Sequence, residues 1–141
     1  LADLPDSPEV VYSPLQEEDM KLEKDLVREI LLQVEAWSDP RGWVSFNVPG
    51  RSKLALAEHI RLLDEAGFLD ADDVTDTSGY DWQAKRLTYE GHEFLDTVRD
   101  IEIWRLTKET AKKTGTASVQ ALFEIGKSYA KQKLIEHGVH L

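Results

Sequence analysis

Apolar residues recur along residues 21–37 at Leu22, Leu26, Ile30, Val34 and Trp37, at spacings of four, four, four and three. That period lays them on one helical face, and Val27 and Leu31 widen the face into a core stripe. Ser38-Asp39-Pro40-Arg41-Gly42 ends the pattern with turn chemistry. Alternation then takes over. Val44, Phe46 and Val48 predict a short strand over residues 43–48, closed by Pro49-Gly50. Residues 52–66 return to the helical period, with Leu56, Ile60 and Leu63 in one row and Leu54, Ala57 and Leu62 on its flanks. Gly67 is placed for a left-handed C-terminal cap. Phe68-Leu69 opens an apolar strand, and Tyr80, Trp82 and Ala84 alternate along its return. Thr77-Ser78-Gly79 supplies the turn between them.

Thr88 predicts an N-cap, with one helix running through Phe94, Leu95, Val98, Ile101 and Trp104 to a break at Thr114-Gly115-Thr116. Gly91 in its first turn is a poor helix former, so another backbone element packed against it is expected. A last helix covers residues 117–136, with Val119, Leu122, Phe123, Gly126, Tyr129, Ala130 and Leu134 along its apolar side. The expected fold is mainly α. It is a winged helix-turn-helix core with a small antiparallel β-hairpin and two additional C-terminal helices.

A chain of 141 residues suits one domain with a real core. The absence of cysteine excludes disulfides, thiolate metal sites and cysteine nucleophiles. No apolar run is long enough to span a bilayer, and no basic segment precedes an apolar one as in a signal peptide. A cytoplasmic protein without membrane contact is expected. The net charge of -10 is unevenly distributed. Residues 1–19 carry six acidic side chains and no Lys or Arg, and they hold Pro5, Pro8 and Pro14. They read as an acidic flexible tail or a non-native leader, because the amphipathic pattern starts just after Met20. Residues 20–104 form the expected winged-helix core. Residues 105–141 form a helical extension packed on that core or on a second subunit, and residues 104–141 carry a net charge of +4.

A winged helix contacts DNA through an exposed recognition helix and its hairpin. The helix over residues 52–66 and its approach offer Arg51, Ser52, Lys53, His59 and Arg61, and the hairpin base adds Lys85 and Arg86. Arg and Lys read guanine edges or hold phosphate, and Ser52 can donate to phosphate. Glu58, Asp64 and Glu65 interrupt this basic set. The hairpin opposes it more strongly, because Asp70, Asp72, Asp73, Asp76 and Asp81 would be repelled by phosphate. The same five carboxylates suit a basic protein surface instead. Arg105, Lys108, Lys112 and Lys113 make a basic shoulder that Lys127, Lys131 and Lys133 continue. Phe123, Gly126 and Ala130 are candidates for burial against a helix, within the chain or across a homodimer. Catalytic motifs are lacking. His92-Glu93 has no second histidine at metal-binding spacing and is expected to pack or cap, no phosphate loop occurs, and no metal or cofactor is expected.

Three blocks carry a resemblance. They are Met20-Lys21-Leu22-Glu23-Lys24-Asp25-Leu26-Val27-Arg28-Glu29-Ile30-Leu31, His59-Ile60-Arg61-Leu62-Leu63-Asp64-Glu65-Ala66-Gly67-Phe68 and Arg86-Leu87-Thr88-Tyr89-Glu90-Gly91-His92-Glu93-Phe94-Leu95-Asp96. Together with Arg99-Asp100 and Trp104, they resemble the DUF2513 family of small bacterial and prophage proteins. The resemblance covers nearly everything after Met20. It implies a winged-helix fold and a start at the methionine matching Met20, and it leaves the biochemical role open. The expected function is a non-enzymatic winged-helix DNA-binding or regulatory protein of phage or mobile-element type, with double-stranded DNA as partner. The alternative is a protein-interaction module that sets its acidic wing against a basic partner, as a nucleic-acid mimic or inhibitor would.

Overall fold

The computed structural model describes residues 21–141, and the reading of residues 1–19 lies outside them. The described residues form five helices and one two-stranded antiparallel hairpin. The order is α1 (Lys24–Ala36), α2 (Lys53–Glu65), β1 (Leu69–Asp73), β2 (Trp82–Leu87), α3 (Tyr89–Val98), α4 (Ile101–Thr114) and α5 (Val119–Glu136).

Local chemistry explains most of the boundaries. Ser52, Thr88, Asp100 and Ser118 cap the N-termini of α2, α3, α4 and α5, each side chain accepting from backbone N–H groups of the first turn. Gly67, at φ +88°, follows α2 in the left-handed region that lets the chain reverse into β1. Its neighbour Phe68 donates its N–H to Leu63 O at 2.9 Å, closing the end of α2.

Two sequence expectations change. The strand over residues 43–48 does not form, although burial does alternate there, with Val44 buried and Trp43 and Ser45 exposed. Its ladder is replaced piecemeal. Val44 N–H donates to Ala84 O at 2.8 Å, while the Gln33 carboxamide pairs with both the N–H and the carbonyl of Asn47, at 2.8 and 2.7 Å. The helix expected to run from Thr88 through Trp104 is broken at Arg99-Asp100, where the Asp100 carboxylate accepts from Glu102 and Ile103 N–H. A short polar side chain that captures backbone donors competes with helix continuation. Helix α1 grips this break. Arg28 donates to the carbonyls of Val98 and Arg99, Glu35 forms a two-oxygen pair with Arg99, and Asp25 accepts from Trp104 Nε1 at 2.8 Å.

The core joins the apolar faces of all five helices with Leu69, Ala84 and Leu87 of the hairpin. At its centre Phe68, Phe94 and Phe123 pack with ring centroids 4.8, 5.2 and 5.3 Å apart. Burial of such a ring stabilises by roughly 1.5–3 kcal/mol, and tilted or edge-on pairing adds about 0.5–1.5 kcal/mol per pair. Gly91 is the close approach expected of it, since a Cβ there would overlap the Phe68 carbonyl oxygen.

Gly91→Ala is expected to destabilise the fold by about 3 kcal/mol, at the upper end of overpacking costs, because the obstacle is backbone that cannot rotate away. Gly42→Ala, where a Cβ meets nothing within 4 Å, should change stability by less than about 0.5 kcal/mol. Urea denaturation of both variants checks the pair, and equal losses would contradict this packing.

Candidate nucleic-acid interface

Helix α2 and the hairpin carry the residues proposed for DNA contact. Burial on α2 is extensive. Ala55, Ala57, Glu58, His59, Ile60 and Leu63 are buried, and only Lys53 and Glu65 of the helix are fully exposed. A helix that reads the major groove needs a free face, and this one is mostly enclosed.

His59 differs most from expectation. It is 1% exposed and faces inward, with Nδ1 2.7 Å from Ala55 O and Nε2 accepting from Glu23 N–H at 2.8 Å. Its place on α2 puts it one residue from Ile60, within the buried arc rather than on the solvent side. Arg61 is occupied by carboxylates of its own helix. It bonds both oxygens of Glu58, at 3.1 and 2.6 Å, and pairs with Glu65. Glu58 is itself 6% exposed and also accepts from Tyr80 OH at 3.0 Å, which fastens the hairpin to α2. The Arg61 bonds, helped by the Tyr80 bond and opposed by burial, hold the Glu58 carboxyl below its ordinary value of 4.5.

The remaining cations follow the same rule. Arg51 pairs with Glu23 at 3.4 Å, and its Nε is buried without a hydrogen-bond partner among the described residues. Ser52 Oγ caps α2 by accepting from Ala55 N–H at 2.9 Å. Arg86 pairs with Asp70 at 2.6 Å, directly across the ladder. Lys85 falls at the register shift between the strands and reaches Asp72 at 3.7 Å. Lys53 is exposed and makes no ion pair among the described residues.

The acidic candidates divide into two groups. Asp70 and Asp72 are matched by Arg86 and Lys85, and Asp72 also accepts from Trp43 Nε1 at 2.9 Å. Asp73, Asp76 and Asp81 lie at the hairpin tip, where residues 73–81 contain no Lys or Arg. Asp73 Oδ1 accepts from Thr75 N–H at 3.0 Å, and Asp76 Oδ1 accepts from the N–H and hydroxyl of Ser78 at 2.8 and 2.5 Å. Hydroxyl first and backbone N–H second, these donors hold both carboxyls below the usual 3.8. Asp81 accepts from Gln83 Nε2 at 3.0 Å.

The interface candidates sit partly inside the chain. Phe123 is 3% exposed, and Gly126 is buried where an added Cβ would come within 2.9 Å of Thr97 Cγ2. Ala130 is half-buried. On the basic shoulder, Arg105, Lys108, Lys127 and Lys133 pair with Glu102, Asp25, Glu124 and Asp100, and Arg105 also with Glu109. Lys112, Lys113 and Lys131 make no ion pair among the described residues. His92, expected to pack or cap, is exposed. Among the described residues no cluster of His, Asp or Glu is arranged to hold a metal ion. Within the same residues no helix is long and apolar enough to cross a membrane.

Glu58 and Tyr80 were not picked out from sequence as site residues. The only available signal was the spacing of Glu58, Arg61 and Glu65 at i, i+3 and i+7, which marks a charge ladder on one helical face.

The model of the family described as "Hypothetical protein (DUF2513)" matches residues 21–117, which include α1 through α4. A Haemophilus influenzae (strain ATCC 51907 / DSM 11121 / KW20 / Rd) chain described as "Uncharacterized protein" is 32% identical over 117 residues, covering 82% of this chain and 99% of its own length. No solved structure matches the chain.

Arg61→Ala is expected to cost about 1.5–3 kcal/mol, the range for hydrogen bonds to charged groups, because it leaves a buried carboxylate short of donors. The sign with pH follows from the depressed Glu58 value. Its stabilisation is present above pH 4.5 and is lost as pH falls below that toward the folded value. The variant should therefore lose less stability than wild type on acidification from pH 5 to pH 3. Parallel denaturant curves at those two pH values test this, and identical slopes would refute it.

Proposed function

The chain belongs to the DUF2513 family, and we propose that this member is a non-enzymatic interaction module that presents its acidic hairpin tip to a basic protein surface. One observation carries the reading. The cations on the expected DNA face are matched by the chain's own carboxylates, Lys53 excepted, while Asp73, Asp76 and Asp81 project from the hairpin tip with no basic residue among them. Phosphate binding draws its affinity from displaced counterions, and a cation already held by a carboxylate contributes little to that exchange. The tip is suited to the opposite partner. Its first two carboxylates are held ionised and oriented by Thr75 and Ser78, so little ordering is required when a Lys or Arg arrives.

The order α1, α2, hairpin, α3 supports reading the fold as a winged-helix derivative. A helix-turn-helix joins its two helices through a turn of three or four residues, whereas residues 37–52 separate α1 from α2 here. In this reading the wing is retained and the recognition helix has become a core element.

A second reading, a DNA-binding regulator of phage or mobile-element type, is favoured by one feature. The N-terminal end of α2 presents Lys53, exposed and without an ion pair, beside Arg51 and Ser52. Coulombic attraction from Asp76 acts on that same end.

Fluorescence anisotropy distinguishes the two. A labelled arginine-rich peptide should bind at low salt, weaken as salt rises, and bind at least tenfold more weakly to the D73N/D76N/D81N variant, while mixed-sequence duplex DNA should not bind. Duplex binding with a steep salt slope, or peptide binding unchanged in the variant, would reverse the conclusion.

A further inference from the structure

We infer that His59 is a protonation-sensitive latch that holds the first turn of α1 against α2. Its two ring nitrogens have partners of fixed and opposite kind. Ala55 O can only accept, so Nδ1 carries the proton and donates across 2.7 Å. Glu23 N–H can only donate, so Nε2 must present its lone pair across 2.8 Å. One neutral tautomer satisfies both contacts. An imidazolium has no acceptor, and its Nε2–H would face the Glu23 N–H head-on.

The contact lies at the N-terminus of α1, which has no side-chain cap among the described residues. Glu23 is the N-cap residue, and its side chain makes no capping bond. The His59 ring is therefore what satisfies the Glu23 amide, from 36 residues away in sequence. Protonating the ring in place is opposed by its burial, and opening the turn is the route by which the charge reaches water.

The charged groups that face the ring do not remove this opposition. Burial, with Arg51 acting in the same direction, outweighs the Ala55 hydrogen bond and the Glu23 and Glu58 carboxylates, which favour the imidazolium, and keeps the ring neutral below the ordinary 6.5. Both carboxylates are already engaged, Glu23 by Arg51 and Glu58 by Arg61. The direction in pH follows. The latch is closed at full strength above pH 6.5 and loosens as pH falls below it toward the lower value of the folded form. The ordinary carboxylate values, 4.5 and below, lie under the 6.5 at which the loosening begins, and His92, His137 and His140 are exposed. Among the described residues His59 is the one buried histidine, so the response is assigned to it.

The test uses the full chain. Long-range nitrogen–proton NMR at pH 7.5 should show the Nδ1–H tautomer. Hydrogen exchange corrected for intrinsic rates should show the amides of Glu23 and Val27 losing protection by about tenfold per pH unit below the onset, the limit for one linked proton. Amides in the middle of α5 should change far less. His59→Gln should abolish the pH dependence of the first-turn amides, and if that variant does not fold the two wild-type measurements decide alone. An Nε2–H tautomer, an ordinary titration near 6.5 with unchanged first-turn protection, or an equal loss of protection across the whole chain would each overturn the latch.

Discussion

Phe68 is the residue through which the architecture is joined. Its N–H closes the end of α2, its carbonyl accepts from Thr88 N–H at 3.1 Å, and its ring meets Phe94 and Phe123. One residue thus ties the end of a helix, the two ends of a hairpin and two further helices. The carbonyl is also what forbids a side chain at Gly91, so α3 must pass with bare backbone against it. Thr88 completes the junction by donating its hydroxyl to Gly67 O at 2.5 Å while accepting from Gly91 N–H. The hairpin's position follows from this crossing and from the Tyr80–Glu58 bond.

Electrostatics then decide what the display offers. Charge reading along a chain treats each Lys or Arg as available, but pairing is a property of three-dimensional distance. Here Arg61, Arg51, Arg86 and Lys85 each lie within 4 Å of a carboxylate. The same pairing also reduces the acidity of the hairpin, because Asp70 and Asp72 are balanced at its base. What survives both subtractions is the acidic tip and Lys53. Apart from the pair between Arg61 and the buried Glu58, such pairs contribute little stability, yet they redistribute the field at the surface.

Elements written in local chemistry were legible. The cap at Thr88, the reversal at Gly67 and the close approach at Gly91 were all read from residue type and position, because each depends on atoms within a few residues or on a rule about glycine, whereas Ser52, read as a helix residue facing phosphate, is a cap. The break at Arg99-Asp100 was less legible. Apolar spacing continues across it, and the signal was the single N-cap residue Asp100 inside an otherwise helical period. The strand over residues 43–48 failed for a different reason. Its alternation correctly marks which side chains are buried, but strand formation needs a neighbour for the ladder, and a glutamine side chain took that place at Asn47.

By itself the sequence determined the mainly helical class, the hairpin, most element ends and the family, since hydrophobic period, capping and turn chemistry act over short distances along the chain. Only the tertiary structure decided which candidate residues remain free. His59 became a buried hydrogen-bonding bridge to Glu23, and Arg61 became the partner of Glu58, because burial and charge pairing are set by elements that meet across the fold. The exposure of the remaining groups is fixed where α1, α2 and the hairpin come together.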